Sequence, residues 1–121
     1  MGNTPRQRDM VKKSYVPSRG DIVWMPFDPT LGHEQKGNRP ALVISSHDFN
    51  RTTGLAYVLA ITSRVKSYAW HIPFVGAQVE GFIMVEQMRS IDWKRRKIIL
   101  KEKADSNTIM SAVNAIQAIV S

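Results

Sequence analysis

The sequence predicts a mainly β domain, in which a small, strongly bent antiparallel sheet or barrel is capped by one C-terminal helix. From Gly20 onward, short runs of apolar residues alternate with turn signals, as in a protein built from closely spaced strands. From Asp105 to the end, the apolar residues recur at helical spacing instead. Residues 15–121 are therefore predicted to form a single domain behind a flexible basic arm, residues 1–14.

Six segments have the composition of β-strands. The second is an almost continuous apolar run, which is typical of a buried strand. The polar segment that follows it, HDFNRTTG, is predicted to be a turn. The six segments are DIVWMPF (21–27), PALVISS (40–46), LAYVLAITS (55–63), AWHIPFV (69–75), GFIMVEQMRSI (81–91) and KIILKE (97–102).

The terminal helix is predicted from its apolar face and from the residues that precede it. Asp105, Ser106 and Asn107 are all of types that accept hydrogen bonds from the free backbone N–H groups at the start of a helix. The apolar face is expected to cap the sheet. It consists of Ile109, Ala112, Val113, Ile116 and Val120.

Composition excludes several kinds of chemistry and limits the choice of partners. The chain contains no cysteine, which excludes disulfides, thiolate metal sites and cysteine nucleophiles. No apolar run approaches the roughly 20 residues that a membrane-spanning helix needs, so a soluble, cytoplasmic protein is expected. The formal net charge of +7 favours an anionic partner: nucleic acid first, an acidic protein segment second and anionic lipid third. A chain of 121 residues buries only a modest core, which is compatible with a dimer.

The segment DPTLGHEQKGN (28–38) contains several ionisable groups and is followed directly by Arg39. Pro40 restricts Arg39 to extended backbone geometry, so its guanidinium leaves the following strand in a defined direction. A guanidinium held in this way suits a phosphate, which it can bind through two parallel hydrogen bonds. The same context also fits an ordinary solvated arginine in a loop.

Two adjacent hydroxyl groups, those of Thr62 and Ser63, end the third predicted strand. Hydroxyls at a strand end can donate hydrogen bonds to phosphate oxygens. For Thr62 the alternative interpretation is structural, because a β-branched side chain suits a strand.

Proton transfer would need acids and histidines near these segments. Glu86 lies in a predicted strand between apolar neighbours, where an acid either forms a structural ion pair or transfers protons. Glu34 and His33 lie in the charged loop, and histidine suits proton transfer near neutrality, although a loop histidine needs no such role. His33, His47 and His71 lack the spacing of a metal site, so no metal is predicted.

The segment SRVKSYAWH (63–71) interleaves cations with aromatic residues. Aromatic faces accept stacked bases while cations follow the backbone, a combination that single-stranded nucleic acid favours. The alternative is an ordinary basic hairpin with a core tryptophan. The residues concerned are Arg64, Lys66, Tyr68 and Trp70.

Taken together and in order, these segments resemble the MazF/PemK/Kid toxin family. The resemblance begins at about Ser18 and extends to the closing helix. Its most specific parts are GDIV (20–23), the block DPT…GHEQ…GNRPA (28–41) and QMRSID (87–92).

The resemblance implies an SH3-like small barrel of the CcdB/PemK toxin type with a C-terminal helix, assembled as a homodimer. It implies sequence-selective cleavage of single-stranded RNA, chiefly messenger RNA, without metal or cofactor. It also implies a cognate antitoxin, which would inhibit the enzyme by laying an acidic, flexible segment across the RNA groove.

By the same resemblance, the key arginine and threonine of the family correspond to Arg39 and Thr62. The loop histidine and glutamate of some members correspond to His33 and Glu34. The family's strand acid, more often aspartate, corresponds to Glu86.

Without a metal, the 2′-hydroxyl beside the scissile phosphate would attack it and leave 2′,3′-cyclic phosphate and 5′-hydroxyl ends. Arg39 would stabilise the phosphorane charge, with Thr62 and Ser63 donating to its oxygens. Some members of the family carry an arginine where this chain has Met84, so a mechanism that uses that arginine as general acid does not transfer.

The remaining roles follow the same hypothesis. Glu34 or Glu86 is the candidate base, and His33 is the candidate acid. The residues expected to hold RNA are Ser63, Arg64, Lys66, Tyr68, Trp70 and Gln87.

Two other functions fit the predicted fold. The first is a CcdB-like toxin that inhibits DNA gyrase by protein contact. Arg39 and the hydroxyls of Thr62 and Ser63 argue against it, since a protein-contact surface does not need them. The second is a non-enzymatic SH3-like module that binds RNA or protein, which would show salt-dependent RNA binding without product ends.

Overall fold

The structure is a computed structural model that describes residues 15–26, 38–64 and 69–121. Within these ranges, no helix is long and apolar enough to cross a membrane. The strands are β1 (Asp21–Pro26), β2 (Asn38–Val43), β3 (Leu55–Thr62), β4 (His71–Val75), β5 (Glu80–Met84), β6 (Arg89–Asp92) and β7 (Ile99–Lys103). The helices are α1 (His47–Thr53) and α2 (Ser106–Val120), and a 3-10 turn spans Val85–Gln87.

Strand β3 is the centre of a curled antiparallel sheet. The strand order is β4-β5-β3-β2-β1-β7, and β6 pairs with β3 off this path. On one side β3 pairs with β2, and on the other side its first half pairs with β6 and its end with β5. Because one strand serves three neighbours, the sheet bends at β3. The prediction of a small, bent antiparallel sheet with a C-terminal helix is confirmed.

The two faces of the sheet carry separate hydrophobic clusters. The first includes Ile22, Leu42, Leu59 and Ile83, and α2 packs against it. The second includes Val23, Met25, Ala41, Val58 and Trp93. Residues 41–44 are all buried, since neighbouring residues of β2 belong to opposite clusters. The predicted burial of this strand is therefore confirmed.

Helix α2 begins as predicted but its packing face is shorter. Asp105 caps it, since its carboxylate accepts a hydrogen bond from the backbone N–H of Thr108 at 3.1 Å. Ala112 is fully buried, and Val113 packs on the first cluster. Val120 is 73% exposed, so its predicted place on the packing face is wrong.

The polar segment after β2 forms α1, and the predicted turn is wrong. Ser46 caps the start of this helix, and Gly54 ends it with a left-handed φ of 77°. Asn50 is fully buried, and its side-chain amide donates to the carbonyl of Pro17 at 2.7 Å. This contact with a distant part of the chain stabilises a helix too short to form by itself.

The long strand predicted at 81–91 is interrupted. Strand β5 ends at Met84, the 3-10 turn follows, and β6 starts at Arg89. The interruption lets consecutive segments pair with different halves of β3. Glu86 consequently lies in the 3-10 turn, and its predicted place in a strand is wrong.

Candidate functional site

Arg39 lies where two surface grooves meet. It belongs to β2, is half-buried, and is opposite Met25 of β1. Arg39 and Pro40 line both grooves. The Thr62 groove is lined by Trp24, Arg39, Pro40, Ile61, Thr62, Ser63, Arg64, Gln78, Val79 and Glu80. The Gln87 groove is lined by Met25, Arg39, Pro40, Ala41, Val58, Ala60, Met84, Gln87 and Arg89.

The register of β2 and β3 brings Arg39 and Thr62 together. Ala41 of β2 is opposite Ala60 of β3. Continuing this antiparallel register by two residues sets Arg39 opposite Thr62. Residues directly opposite in antiparallel strands project to the same face of a sheet, so both side chains belong to one face. Both residues line the Thr62 groove.

The Thr62 side chain is held in place by its neighbours. It is 8% exposed, and its Oγ1 accepts a hydrogen bond from the backbone N–H of Arg64 at 3.2 Å. A threonine hydroxyl has one proton to donate, so this contact fixes the oxygen and leaves the proton for a ligand. Gly81 of β5 packs against the Thr62 carbonyl so closely that a Cβ there would overlap the carbonyl oxygen.

The loop 76–79, between β4 and β5, forms part of the Thr62 groove and is held by Glu102 of β7. The Glu102 carboxylate accepts hydrogen bonds from the backbone N–H groups of Ala77, Gln78 and Val79, each at 2.8 Å. Burial raises the pKa of Glu102, but the three hydrogen bonds together lower it by a larger amount. The pKa therefore lies below its ordinary value of 4.5. The carboxylate is therefore a stable acceptor at neutral pH.

This contact connects the two ends of the strand order, since β4 and β7 are the outermost strands. Gln78 adds a second connection, because its side-chain amide donates to the carbonyl of Lys101 at 2.7 Å. Gly76 provides the space, since a Cβ there would collide with the Glu102 carboxylate. One wall of the groove thus depends on a carboxylate from the far edge of the sheet.

Glu86 contacts His71 of β4 and not Arg39. Oε2 of Glu86 lies 3.0 Å from Nε2 of His71, and the two side chains are 25% and 3% exposed respectively. This contact is an ion pair when the imidazole is protonated and a hydrogen bond otherwise. Neither residue is among those that line the two grooves. Of the two interpretations of Glu86, the structural pair matches this contact, and proton transfer stays a prediction.

The other residues predicted for the site fall into three groups. Ser63 and Arg64 are exposed in the Thr62 groove, and Gln87 lines the groove that bears its name. Trp70 lies in the turn before β4, where its carbonyl accepts the N–H of Val85, and it lines neither groove. Four predicted residues lie outside the described part of the chain: His33, Glu34, Lys66 and Tyr68.

Sequence analysis did not assign a role to Arg89, which lines the Gln87 groove with Arg39. The sequence feature that could have indicated Arg89 is its position in the QMRSID run, two residues after Gln87. Met84 lines the same groove. Glu102 was also missed, and nothing in its local sequence indicates that it holds a distant loop.

The two grooves define a class of protein. Among the described residues that line the Gln87 groove none is acidic, and they include two guanidinium side chains and one amide. The Thr62 groove adds two hydroxyls, a third arginine and one acid, Glu80. Cations and hydrogen-bond donors grouped on a small curled sheet suit a phosphate-bearing ligand. Within the described ranges, no group of three or more His, Asp or Glu residues could hold a metal ion.

The chain belongs to the family described as PemK-like, MazF-like toxin of type II toxin-antitoxin system, whose sequence model matches residues 18–120. The family resemblance found in the sequence is confirmed.

Individual relatives agree with this assignment. The Endoribonuclease toxin MazF of Escherichia coli (strain K12) is 39% identical over 82 residues, which cover 68% of this chain and 74% of that protein. The Endoribonuclease toxin ChpB of the same strain is 37% identical over 117 residues, which cover 92% of this chain and 99% of that protein.

Solved structures show the same fold. The crystal structure of MazF (Form-I) from Deinococcus radiodurans superposes with a TM-score of 0.78 at 33% identity, covering 88% of this chain and 98% of that one. The crystal structure of MazE-MazF (Form-II) from the same organism gives a TM-score of 0.79 at 34% identity, covering 88% of this chain and 97% of that one.

Proposed function

We propose that this protein is the toxin of a toxin-antitoxin pair and acts as a metal-independent, sequence-selective endoribonuclease on single-stranded RNA, chiefly messenger RNA. The observation that carries the proposal is the shared groove of Arg39 and Thr62, on one face of the sheet. Relatives named as endoribonucleases, with 37% to 39% identity, support the same activity.

The chemistry proposed uses the 2′-hydroxyl of the RNA as nucleophile. It attacks the adjacent phosphorus, its proton passes to a base, and the bond to the 5′-oxygen breaks as that oxygen receives a proton. The products are a 2′,3′-cyclic phosphate and a 5′-hydroxyl end. The protein must align the attack, move two protons and stabilise the added negative charge of the phosphorane.

Charge stabilisation is assigned to Arg39 and Thr62. The guanidinium donates two parallel hydrogen bonds to the phosphate oxygens, and the Thr62 hydroxyl donates a third. The bond from the Arg64 N–H to Thr62 Oγ1 orients this hydroxyl before substrate arrives. One preorganised donor of this kind lowers the barrier by about 3 to 4 kcal/mol.

Proton transfer is assigned to the acids and the histidine predicted from the sequence. Glu86 already pairs with His71 and lies outside the two grooves, which favours Glu34 over Glu86 as the base. His33 is then the acid that protonates the leaving 5′-oxygen.

Binding of the RNA on either side of the scissile linkage is assigned to the polar residues around Arg39. Ser63 and Arg64 extend the Thr62 groove, while Gln87 and Arg89 extend the other groove. These side chains can bind phosphates and base edges. The segment that follows Arg64 adds the cation and aromatic residues Lys66, Tyr68 and Trp70.

The protein is proposed to act in the cytoplasm as a homodimer inhibited by a cognate antitoxin with an acidic, flexible segment. The formal net charge of +7 is complementary to such a segment. Tyr57 and Met88 are large apolar side chains that are 38% and 42% exposed, and this exposure supports a protein contact at these two residues.

Mapping the ends of a long RNA after incubation with the purified protein in EDTA tests the proposal. We expect cuts at one short recognition sequence, with cyclic phosphate and 5′-hydroxyl ends. An all-DNA strand of the same sequence should bind without being cut, because it lacks the attacking hydroxyl. Intact RNA in EDTA, or efficient cleavage of the DNA, would refute the proposed chemistry.

A further inference from the structure

The loop between β6 and β7 has a concentration of positive charge that neither groove uses. This basic loop, residues 93–97, contains four consecutive cations after a tryptophan, WKRRK. Within the described part of the chain, Arg95 is the one cation of the loop that contacts a carboxylate, that of Asp92 at 3.5 Å. Their side chains are 87% and 44% exposed, so water weakens the pair. The loop therefore carries an excess of positive charge.

The first part of the basic loop is held in a defined conformation. The indole N–H of Trp93 donates to the carbonyls of Asn50 and Leu55, at 3.0 and 3.1 Å. The backbone N–H groups of Arg95 and Arg96 donate to the Asp92 carbonyl at 3.2 and 3.3 Å. Ordering a run of like charges costs self-repulsion, which an anionic ligand would relieve.

Two lysines of the loop are available to such a ligand. Lys94 and Lys97 are both exposed, and Nζ of Lys94 lies 6.0 Å from the centre of the Trp93 ring. In the ranges that the structure describes, no carboxylate lies within ion-pair distance of either lysine. Both lysines lie in a third groove with Trp93, Arg96, Ile98 and Leu100, and none of the described residues that line it is acidic.

The basic loop is close to the end of the sheet that carries Arg39. Nη1 of Arg96 donates to the Pro26 carbonyl at 3.4 Å, at the end of β1. Pro26 is opposite Asn38, the residue beside Arg39. Trp93 at the start of the loop shares a hydrophobic cluster with Met25, which is opposite Arg39. The positive charge of the loop thus continues that of the two grooves.

We propose that the basic loop is a second contact for the RNA strand, binding its phosphates outside the two grooves without reading sequence. This inference rests on the proposed function, since it takes a polynucleotide to be the ligand at Arg39. A polynucleotide carries one phosphate per nucleotide whatever its sequence. This regular charge suits a run of four cations with two exposed lysines next to the grooves. Phosphate contacts of this kind position a strand and increase its affinity, and they leave the chemical step to other residues.

The test measures binding to an all-DNA strand of about sixteen nucleotides, the upper end of single-strand site sizes. DNA is not expected to be cut, so binding is measured independently of cleavage. For Lys94→Gln and for Lys97→Gln, we expect the slope of log affinity against log salt to fall by about 0.7 for each lost phosphate contact. The double variant should show about twice that change.

Arg19→Gln is the matched control because it removes one positive charge from the other side of the sheet. Arg19 lies beside Val113 and Gln117 of α2, and Val113 packs on the hydrophobic cluster opposite to the one that contains Trp93. Its salt slope should equal that of the parental protein. With RNA as substrate, the lysine variants should raise KM and leave kcat within about twofold, as expected for an interaction made equally in ground and transition states.

The outcomes separate this inference from the proposed function. A parental protein that binds DNA and shows the lysine-dependent slope, but cuts no RNA, would support the basic loop and refute the nuclease. Unchanged slopes in the lysine variants, or an equal loss in Arg19→Gln, would overturn the inference while leaving cleavage intact. If the lysine variants lost binding to polyglutamate but bound DNA as the parental protein does, the inference would also be overturned. The loop would then be assigned to an acidic protein partner.

Discussion

Arg39 and Thr62 come from different strands, yet they line one groove on one face of the sheet. The antiparallel register of β2 and β3 sets the backbones of the two residues opposite each other. Their relative position therefore follows from the pairing of β2 with β3, whose paired residues nearest to them are Ala41 and Ala60. Donors whose positions are set before the substrate binds lose little free energy to reorganisation when a charge develops between them.

Replacing the guanidinium should nearly abolish cleavage without unfolding the protein. We expect Arg39→Ala to lower kcat by about 10²- to 10³-fold, because it removes a preorganised donor to the phosphorane. Arg51→Ala is the control, since Arg51 is exposed on α1 and, among the residues that the structure describes, pairs only with Asp48, at 3.8 Å. Single-turnover kinetics measure the step, and circular dichroism checks the fold. Parental rates in Arg39→Ala would remove this residue from the mechanism.

The hydroxyl of Thr62 should matter more than its shape. Thr62→Val keeps the β-branched shape but loses both the acceptor for the Arg64 N–H and the proton proposed for the phosphate. Its kcat should fall by about 10²-fold. Thr62→Ser retains the hydroxyl and should restore most of the activity. If valine were as active as serine, the structural interpretation of Thr62 would be correct.

Gly81 should be required for the position of Thr62. Gly81→Ala places a Cβ against the Thr62 carbonyl oxygen, so β5 or the end of β3 must move, and both stability and cleavage should decrease. Gly54→Ala is the matched control, since its φ of 77° also strains an alanine. Its Cβ would meet only the flexible Lys94 side chain, at 3.5 Å.

The comparison of the two glycine variants uses thermal unfolding and kcat on RNA. Gly54→Ala should lose about 1 kcal/mol of stability, as expected for alanine in a left-handed conformation, and keep its kcat. Gly81→Ala should lose activity at temperatures where it is fully folded. Equal kcat values for the two folded variants would contradict the proposed link between Gly81 and Thr62.

Glu102 should make stability depend on pH in the acid range. Its pKa is lower in the folded protein than its ordinary value of 4.5, so the folded state favours the ionised carboxylate. The stabilising contribution is complete above about pH 4.5 and is lost as the pH falls through the folded pKa. Urea unfolding of the parental protein and of Glu102→Gln, at several pH values, measures it.

The difference in unfolding free energy between these two proteins should be constant near neutrality and shrink in acid. Glu102→Gln keeps one oxygen acceptor for loop 76–79 but has no titrating group. A difference that grows as the pH falls would contradict the sign of the pKa shift. Asp48→Asn is the control, because Asp48 is exposed on α1 and remote from this loop in the sequence.

Local sequence pattern predicted the parts of the fold that depend on local burial. The almost continuous apolar run of β2 indicated burial on both faces, which holds for residues 41–44. Asp105 was one of the caps expected for α2. Helix α1 could not be predicted in this way, because the buried amide of Asn50 holds it through the carbonyl of Pro17. The break between β5 and β6 was also missed, because it follows from pairing with two halves of β3.

The sequence by itself determined the mainly β class, the terminal helix, the family, and the identities of Arg39 and Thr62 as candidate residues. These follow from residue type, spacing and motif, which are properties of the chain before it folds. Only the tertiary structure decided that Arg39 and Thr62 share a groove, that Glu86 pairs with His71, and that Glu102 holds a loop of that groove. Each of these contacts joins residues through strand register or across the edges of the sheet, and such long-range pairing leaves no local pattern in the sequence.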